Sequence, residues 1–209
     1  MSAPRWQSIV IDEVEPIAAA GVSWRPLRRA LDVRAFGINA YSATAAGDHV
    51  VEPHTEEALG HEEVYVVLLG RATFTLDGET LSAPAGTVVH VRDPAVRREA
   101  HADVPGTTVL AVGAAPGRPY APSAWEAFFA VERFRAAGDH RAAIAELEAA
   151  DRDHPDNAGI AYALACWHAL AGDDDEALAL ARRASALDQR FGAWALQDED
   201  LASIRDRLP

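Results

Sequence analysis

Hydrophobic and polar positions alternate in short segments over the first half of the chain. Residues 36–43 show this alternation, which is typical of a half-buried strand. Residues 72–76 run into Asp77-Gly78, a dipeptide that favours a hairpin turn because both turn positions require positive φ. About eight short strands of this kind predict a jelly-roll β-barrel. The predicted strands include 8–11, 36–43, 64–69, 72–76, 87–91 and 107–112.

The apolar run at 64–69 differs from the other predicted strands because both of its faces are apolar. Tyr65 belongs to one face and Val66 to the other. A strand of this type is buried on both sides. We expect the sheet core to cover one face and a homodimer contact or a docked second domain to cover the other.

The sequence changes character after a proline-rich stretch, Pro116 to Pro122. Proline blocks both helix and strand pairing, so this stretch predicts an extended linker. From Ser123 onward the chain is alanine-rich with helical spacing, and Ala-Gly-Asp occurs at both 137–139 and 171–173. We therefore predict a two-part α+β chain. Its parts are a β-barrel at 1–115, a linker at 116–122 and a helical domain at 123–209.

Composition and charge exclude several classes of function. All 19 basic residues are arginine, so no lysine can form a Schiff base, and this usage is typical of a GC-rich bacterial genome. A formal net charge of −13 without a basic patch argues against nucleic-acid and membrane partners. The single cysteine, Cys166, cannot form an internal disulfide and fits a reducing compartment. With no signal-peptide pattern in the first twenty residues, we expect a cytoplasmic protein.

Two glycine-bounded stretches resemble the signature motifs of the cupin family. Glu63 is followed after six residues by Gly70, and Gly78 is followed after five by Pro84-x-Gly86. The resemblance implies an N-terminal cupin jelly-roll β-barrel that binds a small molecule and forms a homodimer.

The metal-binding positions of the family are only partly matched. Glu57 and Leu59 occupy the usual spacing of the His-x-His pair before Glu63, and His54-x-Glu56 can replace that pair if residues 58–60 are an insertion. Val89 stands where the second motif has its histidine, and His90 is one place further on. A shift of one residue turns a strand side chain to the opposite face.

The helical part resembles a short tetratricopeptide repeat (TPR) array. The repeated Ala-Gly-Asp has a period of 34 residues, which is the length of that repeat. Its aromatic, small and proline positions are matched by Phe134, Ala143, Ala150 and Pro155, and again in part by Ala177 and Ala184. The resemblance implies a TPR-like hairpin array, capped by a helix at about 196–207, that presents a surface for a protein partner.

A group of imidazole and carboxylate side chains is the best candidate for chemistry, and it comprises His54, Glu56, His61 and Glu63. His61 and Glu63 are two residues apart on a predicted strand, so their side chains point the same way. With His54 they are the predicted ligands of one divalent transition metal ion: Zn, Fe, Mn or Ni. The alternative is a hydrogen-bonded polar pair at the barrel mouth.

Strand alternation also predicts the lining of a ligand pocket. Glu63, Tyr65 and Val67 share one face of their strand, and Val89 and Val91 share one face of theirs. If these faces look inward, the interior is apolar at depth and polar near Glu63. Such a pocket suits a compact, largely apolar molecule with one polar end.

A second polar group follows the strand at 87–91. It either binds a carboxylate or phosphate or is a solvated outer face. Its members are His90, Arg92, Arg97, Arg98 and His101.

Two hypotheses of function remain open at this stage. In the first, the barrel binds or senses a small molecule without catalysis, and the helices bind a protein. In the second, the protein is a metal-dependent cupin enzyme of the dioxygenase or isomerase type. Such an enzyme requires three or four protein ligands and an open coordination position.

Overall fold

The computed structural model describes residues 6–19, 21–118, 120, 122–135 and 137–208. The chain divides into two compact units, Met1–Ala121 and Pro122–Pro209. The first unit is built mainly from strands and the second from helices, so the fold class is α+β. Residues 119 and 121 of the predicted linker lie outside the described residues.

Unit 1 contains two antiparallel sheets. The six-stranded sheet has the order β1-β2-β3-β10-β5-β8, and the four-stranded sheet has the order β4-β9-β6-β7. A short helix, α1 (Leu27–Ala30), follows β2. The strands are β1 (Ile17–Ala19), β2 (Val22–Arg25), β3 (Gly37–Ser42), β4 (His49–His54), β5 (Glu62–Leu69), β6 (Arg71–Leu76), β7 (Glu79–Pro84), β8 (Val88–Val91), β9 (Arg98–Ala102) and β10 (Thr108–Ala114).

The two sheets are not closed into the predicted barrel. In the described residues β1 and β8 remain the edges of one sheet, and β4 and β7 remain the edges of the other. The inner faces of the sheets meet, because the rings of Tyr65 on β5 and Phe74 on β6 lie 5.7 Å apart. Small side chains on β9, Ala100 and Ala102, allow this approach and are buried. The core of unit 1 therefore lies between two open sheets.

The hairpin between β6 and β7 forms as predicted. Asp77 and Gly78 have φ of 48° and 88°, as a two-residue turn of this type requires. Leu76 and Glu79 on either side of the turn are paired. Strands also form at the predicted positions of β3, β5, β8 and β10.

Other local predictions were wrong. Residues 8–10 form no strand, and Ile11–Glu13 is a 3₁₀ turn. Residues 47–60 are dense in glutamate and histidine, a composition that predicts a polar loop, but they contain β4. The first error arises because an isolated apolar segment gains nothing from strand geometry without a partner strand.

Unit 2 is a set of α-helices around a central one. The helices are α2 (Ala124–Arg135), α3 (His140–Asp153), α4 (Ala158–Ala171), α5 (Asp174–Leu187) and α6 (Gln189–Ala195). Most of α4 is buried, including Ile160 and Trp167, and it packs against α3 and α5. The Asn157 side chain caps the start of α4, and Gly172 with φ of 85° ends it.

The predicted final helix at 196–207 is absent from the described residues. The chain there forms two 3₁₀ turns, Glu199–Leu201 and Arg205–Arg207, after α6. Leu201 and Ile204 are nevertheless fully buried against the helices. None of the helices in the described part of the chain combines the length and the apolar composition that crossing a bilayer requires.

Candidate functional site

The predicted pocket residues lie on the inner face of the six-stranded sheet. Glu63 is opposite Val91, and Tyr65 is opposite Val89, across the β5–β8 pair. Tyr65, Val89 and Val91 are buried, as is Val67 on the same face of β5. Tyr65, Val67, Val89 and Val91 make most of this face apolar, and Glu63 places a carboxylate at one end of it.

His90 points to the outer face, away from the pocket residues. Its Nε2 lies 3.7 Å from Oε2 of Glu62, and both side chains are more than 40 % exposed. The neighbouring residue, Val89, therefore occupies the inward position at which the second cupin-like motif predicts a histidine. His90 therefore lies on the opposite face of β8 from Val89 and Val91.

Arg98 on β9 faces Glu63 from the opposite sheet. The guanidinium is fully buried, and its Nε lies 3.6 Å from Oε2 of Glu63. The terminal nitrogens lie 3.4 Å and 3.5 Å from the carbonyl oxygens of Pro94 and Asp93. Within the described part of the chain, Arg98 Nε has no hydrogen-bond partner. The interior thus holds a cation whose hydrogen-bonding capacity is only partly used.

The sequence contains a signal for the position of Arg98. Arg98, Ala100 and Ala102 are in phase along β9, and all three are buried. Glu99 and His101 fall on the other face and are half-buried. The predicted polar group of arginines and histidines is therefore split between the two faces of the sheet.

His54 completes the inner cluster at the end of β4. It is paired with Arg98 across the β4–β9 ladder. Its Nε2 lies 3.5 Å from Oε2 of Glu63 and 3.9 Å from Oε1 of Glu56. Its Nδ1 lies 2.7 Å from the carbonyl oxygen of Glu52, which can only accept, so Nδ1 carries a proton.

His61 lies elsewhere than predicted. It precedes β5 instead of being part of it, so the rule for alternate strand positions does not fix its direction. Its Nδ1 lies 3.3 Å from Oε2 of Glu56, and its ring stacks on Tyr120 at 5.6 Å. The structure brings His54 and Glu63 together with Glu56. One ligand atom from each of these three side chains lies within 4.8 Å of the other two. This group contains His54 and Glu63 of the predicted trio and has Glu56 where that trio has His61, which remains a predicted ligand.

The cluster changes the protonation of its members. Burial raises the pKa of Glu56 to about 7, and the negative charge of Glu63 adds to the shift. Burial also raises the pKa of Glu63, but hydrogen bonds from His54 and Tyr65 and the charge of Arg98 outweigh it, so the net pKa is lowered. The Tyr65 hydroxyl donates to Oε2 of Glu63. Glu63 is therefore the permanent anion of the cluster.

The two histidines shift in opposite directions. Burial lowers the pKa of His54, but the hydrogen bond to Glu63 and the charges of Glu52 and Glu63 outweigh it, so the net pKa is raised. Burial lowers the pKa of His61, and the charge of Glu63 only partly offsets this. The inner cluster thus sets the cation Arg98 and a His54 that protonates more readily than a free imidazole against Glu63 and a partly ionised Glu56.

The donor atoms are close enough to hold a metal ion, but the charges around them differ from those of a metal site. Ligand distances of about 2.0–2.2 Å allow donor separations of up to about 4 Å, and the distances from His54 Nε2 to both carboxylates meet this limit. An imidazole with two carboxylates suits a divalent transition ion. However, Arg98 and Tyr65 already engage the same oxygen of Glu63. Arg98 therefore already offsets part of the carboxylate charge that a metal ion would offset.

No family model and no curated protein sequence matches this chain. Solved structures similar to it include a cupin protein from Bacteroides fragilis, with 19 % identity and a TM-score of 0.43 over 58 % of this chain and 93 % of that one. A predicted oxalate decarboxylase from Thermotoga maritima has 21 % identity and a TM-score of 0.44 over 51 % and 97 % of the two chains. A sugar phosphate isomerase of the cupin superfamily from Silicibacter pomeroyi has 17 % identity and a TM-score of 0.44 over 51 % and 74 %.

Proposed function

We propose that unit 1 is a cupin-type module that binds a small molecule without catalysing a reaction. The observation that carries this proposal is the inner cluster of His54, Glu56, Glu63 and Arg98 at one end of an otherwise apolar face. The His54 and Glu63 side chains are 21 % and 13 % exposed, so the cluster reaches the surface while Arg98 stays buried behind it.

The chemistry of the cluster selects the ligand class. Tyr65 already donates to Glu63, whereas Arg98 Nε, 3.6 Å from Oε2 of Glu63, makes no hydrogen bond within the described residues. A ligand whose polar end accepts hydrogen bonds satisfies that donor. Val89 and Val91 continue the lining with apolar surface. The ligand is therefore compact and largely apolar, with one oxygen-bearing end such as a carboxylate.

A thermal-shift screen of compact carboxylic acids on the whole chain tests this proposal. A stabilising compound acts on the wild type and on His90→Ala, the outward control. Its effect disappears in Arg98→Lys, which keeps the charge but loses the Nε–H donor, and in Val89→Trp, which adds a bulky ring beside Tyr65 on the inner face. A compound that loses its effect in His90→Ala and keeps it in Val89→Trp contradicts the proposal.

A second candidate is a metal-dependent enzyme of the dioxygenase or isomerase type. It is favoured by the three donor atoms of His54, Glu56 and Glu63, which would hold the ion. A bound divalent ion would supply Lewis-acid chemistry there. Elemental analysis of protein purified without chelator separates the candidates. Near-stoichiometric metal that is lost in both Glu56→Gln and Glu63→Gln supports the enzyme.

Unit 2 is proposed to be a TPR-like array that binds a protein partner. Helices α4 and α5 begin at residues 158 and 174, each 34 residues after α2 and α3, which begin at 124 and 140. Three large apolar side chains of this unit, Leu187, Trp194 and Leu196, are exposed. Cross-linking in a lysate that captures the same protein with the wild type but not with Trp194→Ala supports this role.

We also propose a cytoplasmic homodimer that contacts neither nucleic acid nor membrane. Apolar side chains occur together on the outer face of β10, β5 and β8, where Val66 is paired with Leu110 and Val88. Val88 is 61 % exposed. Sedimentation velocity at micromolar concentration is expected to show a dimer that Val66→Asp dissociates. A monomeric wild type overturns the proposed dimer.

A further inference from the structure

The outer face of the four-stranded sheet carries a second polar cluster, formed by His49, Glu99 and His101. His49 on β4 is the direct partner of His101 on β9. Glu99 precedes His101 by two residues, so both side chains leave β9 on the same face. Arg98 and Ala100, in the other phase of the strand, are buried. This outer histidine cluster is thus separated from the inner cluster by the thickness of the sheet.

The side chains of the outer histidine cluster converge. The rings of His49 and His101 lie 4.0 Å apart between centroids, and Nε2 of His49 lies 3.9 Å from Oε2 of Glu99. One ligand atom from each of the three side chains lies within 4.8 Å of the other two. His49 and Glu99 are 30 % and 31 % exposed, so solvent and dissolved ions reach them.

A backbone contact fixes the state in which His101 can act as a ligand. Its Nδ1 lies 3.1 Å from the carbonyl oxygen of Gly47. A carbonyl only accepts, so Nδ1 carries the proton and Nε2 keeps its lone pair when the ring is neutral. Gly47 is itself held, because its N–H donates to the carbonyl oxygen of Ala102 at 2.8 Å. Metal-binding histidines usually bind the ion through one ring nitrogen and donate the N–H of the other to a carboxylate, a backbone carbonyl or water.

We infer that the outer histidine cluster binds one divalent transition metal ion, such as Zn²⁺. Two imidazoles and one carboxylate are a common donor set for these ions. Three protein ligands leave at least one coordination position for water. The inference is independent of the proposed ligand in the interior, because no residue is shared between the two clusters.

Zn²⁺ and Co²⁺ titration of the chelator-stripped whole chain tests this inference. Calorimetry with Zn²⁺ is expected to give one binding event that is weakened at least tenfold in His49→Gln, in His101→Gln and in the near-isosteric Glu99→Gln. Co²⁺ is expected to give the visible absorption of a bound ion, reduced in the same variants. Circular dichroism checks that each variant is folded. We expect the variants to fold, because the substituted side chains are half-exposed and not part of the core.

Two control variants separate this site from other sources of binding. His90→Ala removes an exposed histidine that also faces a glutamate, and Glu56→Gln removes a donor from the interior. Both are expected to retain the binding event. The inference is overturned if the wild type binds no Zn²⁺ up to millimolar concentration, if binding is unchanged in both His49→Gln and His101→Gln, or if Glu56→Gln alone removes it.

Discussion

Arg98 and Glu63 face each other across the two sheets of unit 1, with Nε of one 3.6 Å from Oε2 of the other. Both charges are largely withdrawn from water. Removing one partner of a buried pair costs about 3–5 kcal/mol, because the other charge is left uncompensated. Here Tyr65 and His54 also contact Glu63, so part of that cost is offset.

We therefore expect Arg98→Met to lower the free energy of unfolding of unit 1 by about 3 kcal/mol. The double variant Arg98→Met/Glu63→Gln is expected to be more stable than the sum of the single effects predicts. Urea dependence of hydrogen exchange at the β5 amides measures this in the whole chain. Strictly additive effects would show that the pair is not coupled.

The pH dependence of stability reports on Glu56. Its pKa of about 7 in the fold is above the ordinary value of 4.5, so the folded state keeps a proton that the unfolded state releases. The free energy of unfolding of unit 1 is expected to fall as pH rises from 4.5 to 7, by roughly 3 kcal/mol. The raised pKa of His54 adds a further loss above pH 6.5.

Glu56→Gln provides the matched comparison for this pH dependence. The amide cannot ionise, so the variant is expected to lose most of the decline between pH 4.5 and 7. Unfolding of both proteins in chelator-containing buffers at several pH values measures the difference. Parallel pH profiles for the wild type and the variant would contradict the protonated state of Glu56.

Cys166 is expected to be unreactive in the folded protein. Burial raises the pKa of its thiol, and the negative charge of Asp198, 3.8 Å away at Oδ2, raises it further. Because the thiolate is the reactive form, a disulfide reagent at pH 8 is expected to modify the native chain at least a hundredfold more slowly than the urea-unfolded chain. Cys166 is the single cysteine, so the signal has one source. Complete reaction of the native protein within a minute would disprove the prediction.

The two units are expected to fold separately. The buried cluster of unit 2, which includes Leu147, Ile160, Trp167 and Leu201, is drawn from helices of that unit. Residues 122–209 alone are expected to give a cooperative helical transition, and residues 1–121 a β-type circular dichroism spectrum. Trp167→Ala is expected to destabilise the helical fragment by about 3–5 kcal/mol. A fragment that lacks a cooperative transition would show that the boundary is misplaced.

The fold was predictable wherever local chemistry and packing favour the same structure. Asp77-Gly78 supplies both positive φ angles of its turn, and the flanking segments alternate, so the β6–β7 hairpin could be predicted without the structure. Strand β4 could not, because its histidines, glutamate and proline are poor strand formers. Its position comes from pairing with β9, a contact between residues about 50 positions apart in sequence.

The candidate site was predictable only in part for a similar reason. His54, Glu56 and Glu63 were identified by their spacing, and Tyr65 by alternation from Glu63. Arg98 was placed only in the second polar group, because arginine is rarely fully buried and its alternation with Ala100 and Ala102 is a weak signal beside that tendency. The direction of His61 depends on the loop before β5, which no periodic rule describes.

Strand β9 has only five residues, Arg98–Ala102, and it contributes to polar clusters on both faces of its sheet. Inserting or deleting one residue there would exchange the two faces at once, placing Glu99 and His101 in the core and Arg98 in water. Point substitutions, in contrast, alter one face and leave the other intact. A change in the length of this segment therefore disturbs both clusters together, whereas a change of residue type at constant length disturbs one of them.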